Sequence, residues 1–154
     1  MTPVVSGDLN EVLRLVVAVA AGMVIGFNRE LRGKPLGVRT LALVTLGSAI
    51  AGTTAVHYVG LAAHPEALAR VVQGTLQGVL TGIGFIGAGV VIRNRRTDTV
   101  HGLTTAATVW VAAALGIACA LADWTVIGAG VALTLIVLFG FGWLERRLMP
   151  DDED

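Results

Sequence analysis

Charged residues divide this chain into long apolar blocks, and the blocks are the length of membrane spans. Residues 71–92 read VVQGTLQGVLTGIGFIGAGVVI, with 22 positions, no charge and six glycines. At 1.5 Å per residue, a helix of that length crosses the roughly 30 Å of a bilayer core. In water each interior glycine would cost about 1 kcal/mol against alanine. In lipid an unmade backbone hydrogen bond costs several kcal/mol, so the segment stays helical and its glycines become flat packing surface.

The same reading gives four more spans. The first runs from about Leu9 to Phe27, with Glu11 and Arg14 in its first turns; Arg14 must snorkel to a headgroup or face the bundle interior. The second lies within residues 40–63. The fourth covers Gly102 to about Ala122, and the fifth covers Trp124 to Leu144. Five spans joined by short loops predict an all-α polytopic membrane bundle. Residues 1–147 form a single transmembrane domain, followed by a short acidic tail at 148–154.

Charge placement predicts orientation. Nine of the 11 basic residues lie in the first loop (Arg29, Arg32, Lys34, Arg39), the third loop (Arg93, Arg95, Arg96) and the C-terminal end (Arg146, Arg147). The positive-inside rule puts these in the cytoplasm and the N-terminus outside. Tyr58 and Trp124 then fall near outer span ends and Trp143 near an inner one, as interfacial aromatics do.

Composition agrees. The chain is 55% hydrophobic and 14% charged, against about 25% charged in soluble domains. Basic and acidic residues cancel, so net charge gives no reason to expect nucleic acid. Cys119 is the single cysteine, which excludes a disulfide framework; in its apolar run it reads as a small buried hydrophobe. The N-terminus lacks the basic n-region of a cleavable signal peptide.

Gly82 to Gly87 matches the dinucleotide pattern GxGxxG, but that motif needs a preceding strand in a βαβ unit, and here it lies in a membrane span. The glycines read as packing surface instead: Gly74, Gly78 and Gly82 recur at i+4, with Gly84, Gly87 and Gly89 beyond them. The partner is another helix of the chain or a second subunit. Beside this row run Gln73, Gln77 and Thr81, which bond between helices or line a polar crevice. Thr104, Thr105 and Thr108 open the fourth span; their hydroxyls face such a crevice or bond back to their own helix. His57 reads as interfacial. The densest charge pattern is Asn28-Arg29-Glu30 through Arg39-Thr40, where Glu30 is the one acid among four bases and is expected to pair with an arginine. The candidate functional groups are therefore Arg29, Glu30, Arg39, Gln77, Thr104 and Thr105. No catalytic constellation is visible, and no metal ligands are assigned.

Two segments resemble one family. Thr81-GIGFIGAGVVI-Arg93 and His101-GLTTAATVW-Val111 are similar to the two signatures of the MgtC/SapB family of bacterial inner-membrane proteins. Gly26-FNRELRGKPLGVRT-Leu41 resembles its first loop, and Gly47-Ser48 and Leu144-Glu145-Arg146-Arg147 also fit. The resemblance covers about residues 9–147. It implies a five-helix inner-membrane protein linked to Mg²⁺ homeostasis, either a Mg²⁺ transporter or a regulatory subunit that binds another membrane complex, such as the ATP synthase. No bound cofactor is expected, with Mg²⁺ as substrate or effector, and the expected partners besides the bilayer are further copies of the chain or another membrane protein. Asn28 and His101 replace a common Glu and Arg, and Thr104 and Val111 replace the Asn and Cys of the virulence-linked subgroup. That subgroup also carries a soluble C-terminal domain, so a virulence role is not implied. No span carries a carboxylate near its middle, which disfavours a dehydrated Mg²⁺ site inside one chain.

Overall fold

A computed structural model describes residues 5–57, 64–94 and 99–141. Five helices follow one another: α1 (Val5–Leu31), α2 (Val38–Val56), α3 (Pro65–Val90), α4 (Leu103–Leu121) and α5 (Trp124–Ile136). The last passes into a π-helical turn, Val137–Phe141. Between α3 and α4 stands a small antiparallel hairpin, β1 (Ile92–Asn94) and β2 (Thr99–His101), with Ile92 opposite His101.

Among the described residues, four helices are long and apolar enough to cross a membrane. The fifth is apolar but shorter over its described length, Trp124–Gly140. The rest of the expected fifth span, residues 142–144, lies outside the described residues. So do Tyr58, Trp143, Arg95, Arg96, Arg146, Arg147 and the acidic tail. The hairpin is an addition to the sequence reading, which had only a basic loop there.

The core is built on α4. Val109, Ala112, Ala113, Leu115, Ile117 and Cys119 are buried, and α4 packs against every other helix. Ile25 of α1, Leu41 of α2 and Ile83 of α3 close around it. Ala18, Ala49 and Ile127 join Cys119 in a second cluster, the small buried position foreseen for that cysteine.

Glycine makes these approaches possible, though not mainly the glycines that the pattern singled out. A Cβ on Gly22 would stand 2.6 Å from the Leu41 carbonyl oxygen, and one on Gly26 would stand 2.6 Å from Val38 Cα. These two residues, four apart on α1, form the GxxxG contact that lets α1 lie backbone-to-backbone on α2. Gly116 does the same for α4, where a Cβ would meet Ser48 at 2.8 Å. Gly102 enters α4 at φ +90, a left-handed conformation that favours glycine, with the Val90 carbonyl packed against its Cα.

α3 is the exception. Among the described residues, its expected packing row, Gly74, Gly78 and Gly82, together with Gly84 and Gly89, meets nothing beyond its own helix within 4 Å of an added Cβ. Only Gly87 of that set packs within the chain, against Ala106 of α4 at 3.5 Å. Of the two partners left open for the row, no helix among the described residues of this chain covers it.

Candidate functional site

α1 runs antiparallel to both α2 and α4, and it tends both ends of the bundle. At one end Arg14 donates to the Cys119 and Ala122 carbonyl oxygens, at 2.8 and 3.0 Å. These carbonyls end α4, so a cation sits on the negative pole of that helix. Its guanidinium also lies 5.0 Å from the centre of the Trp124 ring. Arg14 therefore turns inward. Beside it, His57 Nε2 stands 2.6 Å from Glu11 Oε1, and Nδ1 is 2.9 Å from the Thr53 carbonyl oxygen. His57 is the residue that ends α2.

The other end carries the motif residues. Arg29 is 4% exposed. Its guanidinium donates to Thr105 Oγ1, to Thr108 Oγ1 at 3.2 Å and to the Pro35 carbonyl oxygen at 3.5 Å. Thr108 passes its own proton back to the Thr104 carbonyl, 2.7 Å away, which is the helix back-bond foreseen for these hydroxyls. Asn28, its neighbour on α1, is buried, and Thr45 and Ser48 are buried farther along α2, against Gly22 and Gly116. Arg29 Nε is buried without a partner, and no carboxylate of the described residues forms an ion pair with this cation. An unbalanced charge of this kind is costly in a low-dielectric interior. It also sits against the first turns of α4, where the helix dipole is positive and would favour an anion.

Glu30, one residue on, points the other way. Its Oε2 accepts the Val38 N–H at 3.0 Å. That N–H is the first orphan donor of α2, so α1 caps α2 with a carboxylate on its positive pole. Among the described residues no arginine forms the expected ion pair with it. Arg39 stands exposed across a shallow groove lined by Phe27, Glu30, Leu31 and Val38. Between them the turn is held by Leu36, at φ +63 and half-buried against the core. Arg32 lies 5.4 Å from the Phe139 ring centre and ties the turn to the end of α5.

The structure thus separates the candidates. Arg29 and Thr105 meet, and Thr108 joins them. Glu30 and Arg39 share the groove outside. Thr104 is exposed, and Gln77 lies far along α3 on its uncovered side. Asn28, Gly22 and Gly26 are residues that sequence reasoning passes over as part of this end of the bundle, and Thr108, weighed there with Thr104 and Thr105, joins the cluster; the i+4 spacing of the two glycines is the available signal. Among the described residues, no three His, Cys, Asp or Glu side chains gather as a metal site would require.

Four long apolar helices, three of them packed around the fourth, α4, define a multi-pass helical membrane protein. Residues 15–147 match the model of the MgtC family, and the chain belongs to that family. It is 40% identical to protein SrpB of Synechococcus elongatus, over 86% of this chain and 75% of that one. It is 34% identical to protein SapB of Bacillus subtilis, over 94% of this chain and 62% of the relative. It is 37% identical to the "Putative magnesium transporter YhiD" of Escherichia coli, over 90% and 63%. The chain thus spans three quarters of SrpB and under two thirds of the other two. No solved structure matches it significantly.

Proposed function

We propose that this protein is a regulatory membrane subunit of Mg²⁺ homeostasis that binds another membrane protein and conducts no ion through its own helices. One observation supports this most: the buried Arg29 guanidinium, fixed between α1 and α4 by Thr105 and Thr108. Suppose a divalent cation passed about 5 Å from that charge at an effective dielectric of about 20. It would be repelled by roughly 6–7 kcal/mol. Mg²⁺ dehydrates reluctantly and is usually held by carboxylates. The two threonine hydroxyls that would otherwise offer oxygen are already engaged by the arginine. The backbone contacts at Gly22, Gly26 and Gly116 hold α2 closely against α1 and α4. The link to Mg²⁺ rests on the family and on the label carried by the YhiD relative.

That label is also the rival reading, transport. Purified protein in liposomes loaded with a Mg²⁺ indicator separates the two. The expected flux equals that of protein-free vesicles. Flux that rises with the protein-to-lipid ratio would sink the regulatory reading.

A further inference from the structure

α3 is 26 residues long, yet only 11% of its apolar window is buried inside the chain, against 28–50% for the other three long helices. Its uncovered side is not ordinary lipid-facing surface. Gln73, Gln77 and Thr81 are exposed there, and so are Gly74, Gly78 and Gly82. Gln73 and Gln77 lie about 12 and 18 Å from the start of the helix, within the depth of a bilayer. Lipid tails offer their amides nothing to bond, and polar side chains at that depth normally face protein.

We infer that this side of α3 is the contact with a second copy of the chain, across a two-fold axis along the membrane normal. The argument for this occupant is self-complementarity. Each polar residue precedes a glycine by one position, so the two rows run side by side, about 100° apart around the helix. A two-fold axis between them lays the polar row of each copy on the glycine row of the other. Glycine leaves the helix backbone bare, and each backbone carbonyl keeps a second lone pair. The glutamine amides of one copy can donate to those carbonyls or pair with the amides of the other. Phe85 adds a matching shape. It is 84% exposed, and it stands three and four residues from Gly82 and Gly89 on the same face. Across the two-fold axis the two Phe85 rings lie at one depth, where they can stack on each other. This contact does not depend on whether the protein moves an ion.

The test uses the full chain in its membrane, in a Cys119→Ala background. Single cysteines replace Gln77 or Gly78, and one replaces Leu43 as a control exposed on α2. Mild oxidation should yield disulfide-linked dimer at 77 and 78 at least tenfold above 43. Separately, Gly78→Leu and Gln77→Leu should each weaken dimerisation at least tenfold, read by light scattering of detergent-solubilised protein across concentrations. The melting temperature of the monomer should not change, because no atom of the chain faces Gly78. Four results would overturn the inference. They are equal cross-linking at 43, a monomer at every concentration and in the bilayer, cross-links from 78 to a different protein alone, or a dimer indifferent to both leucine variants.

Discussion

α3 and α4 carry the two signature segments of the chain, and the structure uses them in opposite ways. Half of the α4 window is buried inside the molecule, against about a tenth of the α3 window. In α4 two of the three threonines face inward: Thr105 and Thr108 hold Arg29, and Gly116 admits the α2 backbone. In α3 the polar residues and most of the glycines face out. Yet by sequence the two look alike, as uncharged stretches dotted with small and hydroxyl residues. The difference shows that a glycine row marks close approach without saying to whom. It also divides the labour, since α4 makes this fold and α3 makes a surface.

The sharpest way to break that comparison is to enlarge a glycine on each helix. A side chain at Gly116 would run into the Thr45 carbonyl and Ser48 Cβ, both of which belong to α2. Gly116→Leu should cost at least the upper end of the usual overpacking range, about 3 kcal/mol, and much of the protein should fail to accumulate folded. Gly78→Leu should leave monomer stability where it was. Melting in detergent, followed by tryptophan fluorescence, reads both. Equal losses would mean that α3 is packed within the chain after all.

A smaller effect is expected at the Arg29 cluster, where α1 reads the first turns of α4. Arg29→Lys keeps the charge and loses the planar fork that reaches Thr105 and Thr108 together. A hydrogen bond to a charged group contributes about 1.5–3 kcal/mol, so a loss of that size is expected. Thr105→Val should cost less by itself, and the double variant should cost less than the sum. Strict additivity would show that the two side chains do not act as one unit.

Much of this was legible beforehand, and for one physical reason. A bilayer demands long uncharged helices, so span number and approximate bounds follow from charge spacing; α3 was read as 71–92 and α4 as 102–122, against the observed 65–90 and 103–121. What hydropathy cannot tell is which side of a span faces protein, because lipid tails are as apolar as leucine. That is why the Gly74 row was expected to pack and the Gly22–Gly26 pair was not. The motif pairing of Arg29 with Thr105, 76 residues apart, also needed the fold to become visible. Glu30 was misread for a subtler reason. Four nearby bases made an ion pair the natural expectation, but the strongest local demand came from an orphan N–H at the start of α2.

The smallest expected effect tests that last contact, and it extends the comparison of helices to their ends. The opening turn of α2 is capped by Glu30 of α1. α4 opens on Gly102 without a side-chain cap and has Arg29 against its first turns. Glu30→Gln keeps an oxygen that can accept the Val38 N–H and removes only the charge that complements the helix dipole. The expected loss is about 0.3–1 kcal/mol. Glu30→Ala removes the acceptor as well and should cost more, about 1 kcal/mol, as a lost cap does. Because the carboxylate faces a solvent-open groove, its charge-dependent share should shrink as salt rises and the Debye length falls from about 10 Å at 0.1 M to about 3 Å at 1 M. Wild type and Glu30→Gln should therefore converge in melting temperature at high salt, with Glu30→Ala still below both. If all three melt together at every salt concentration, the cap contributes nothing. A growth defect of Glu30→Gln at low Mg²⁺ would then be an effect on the groove shared with Arg39 and not on the stability of α2.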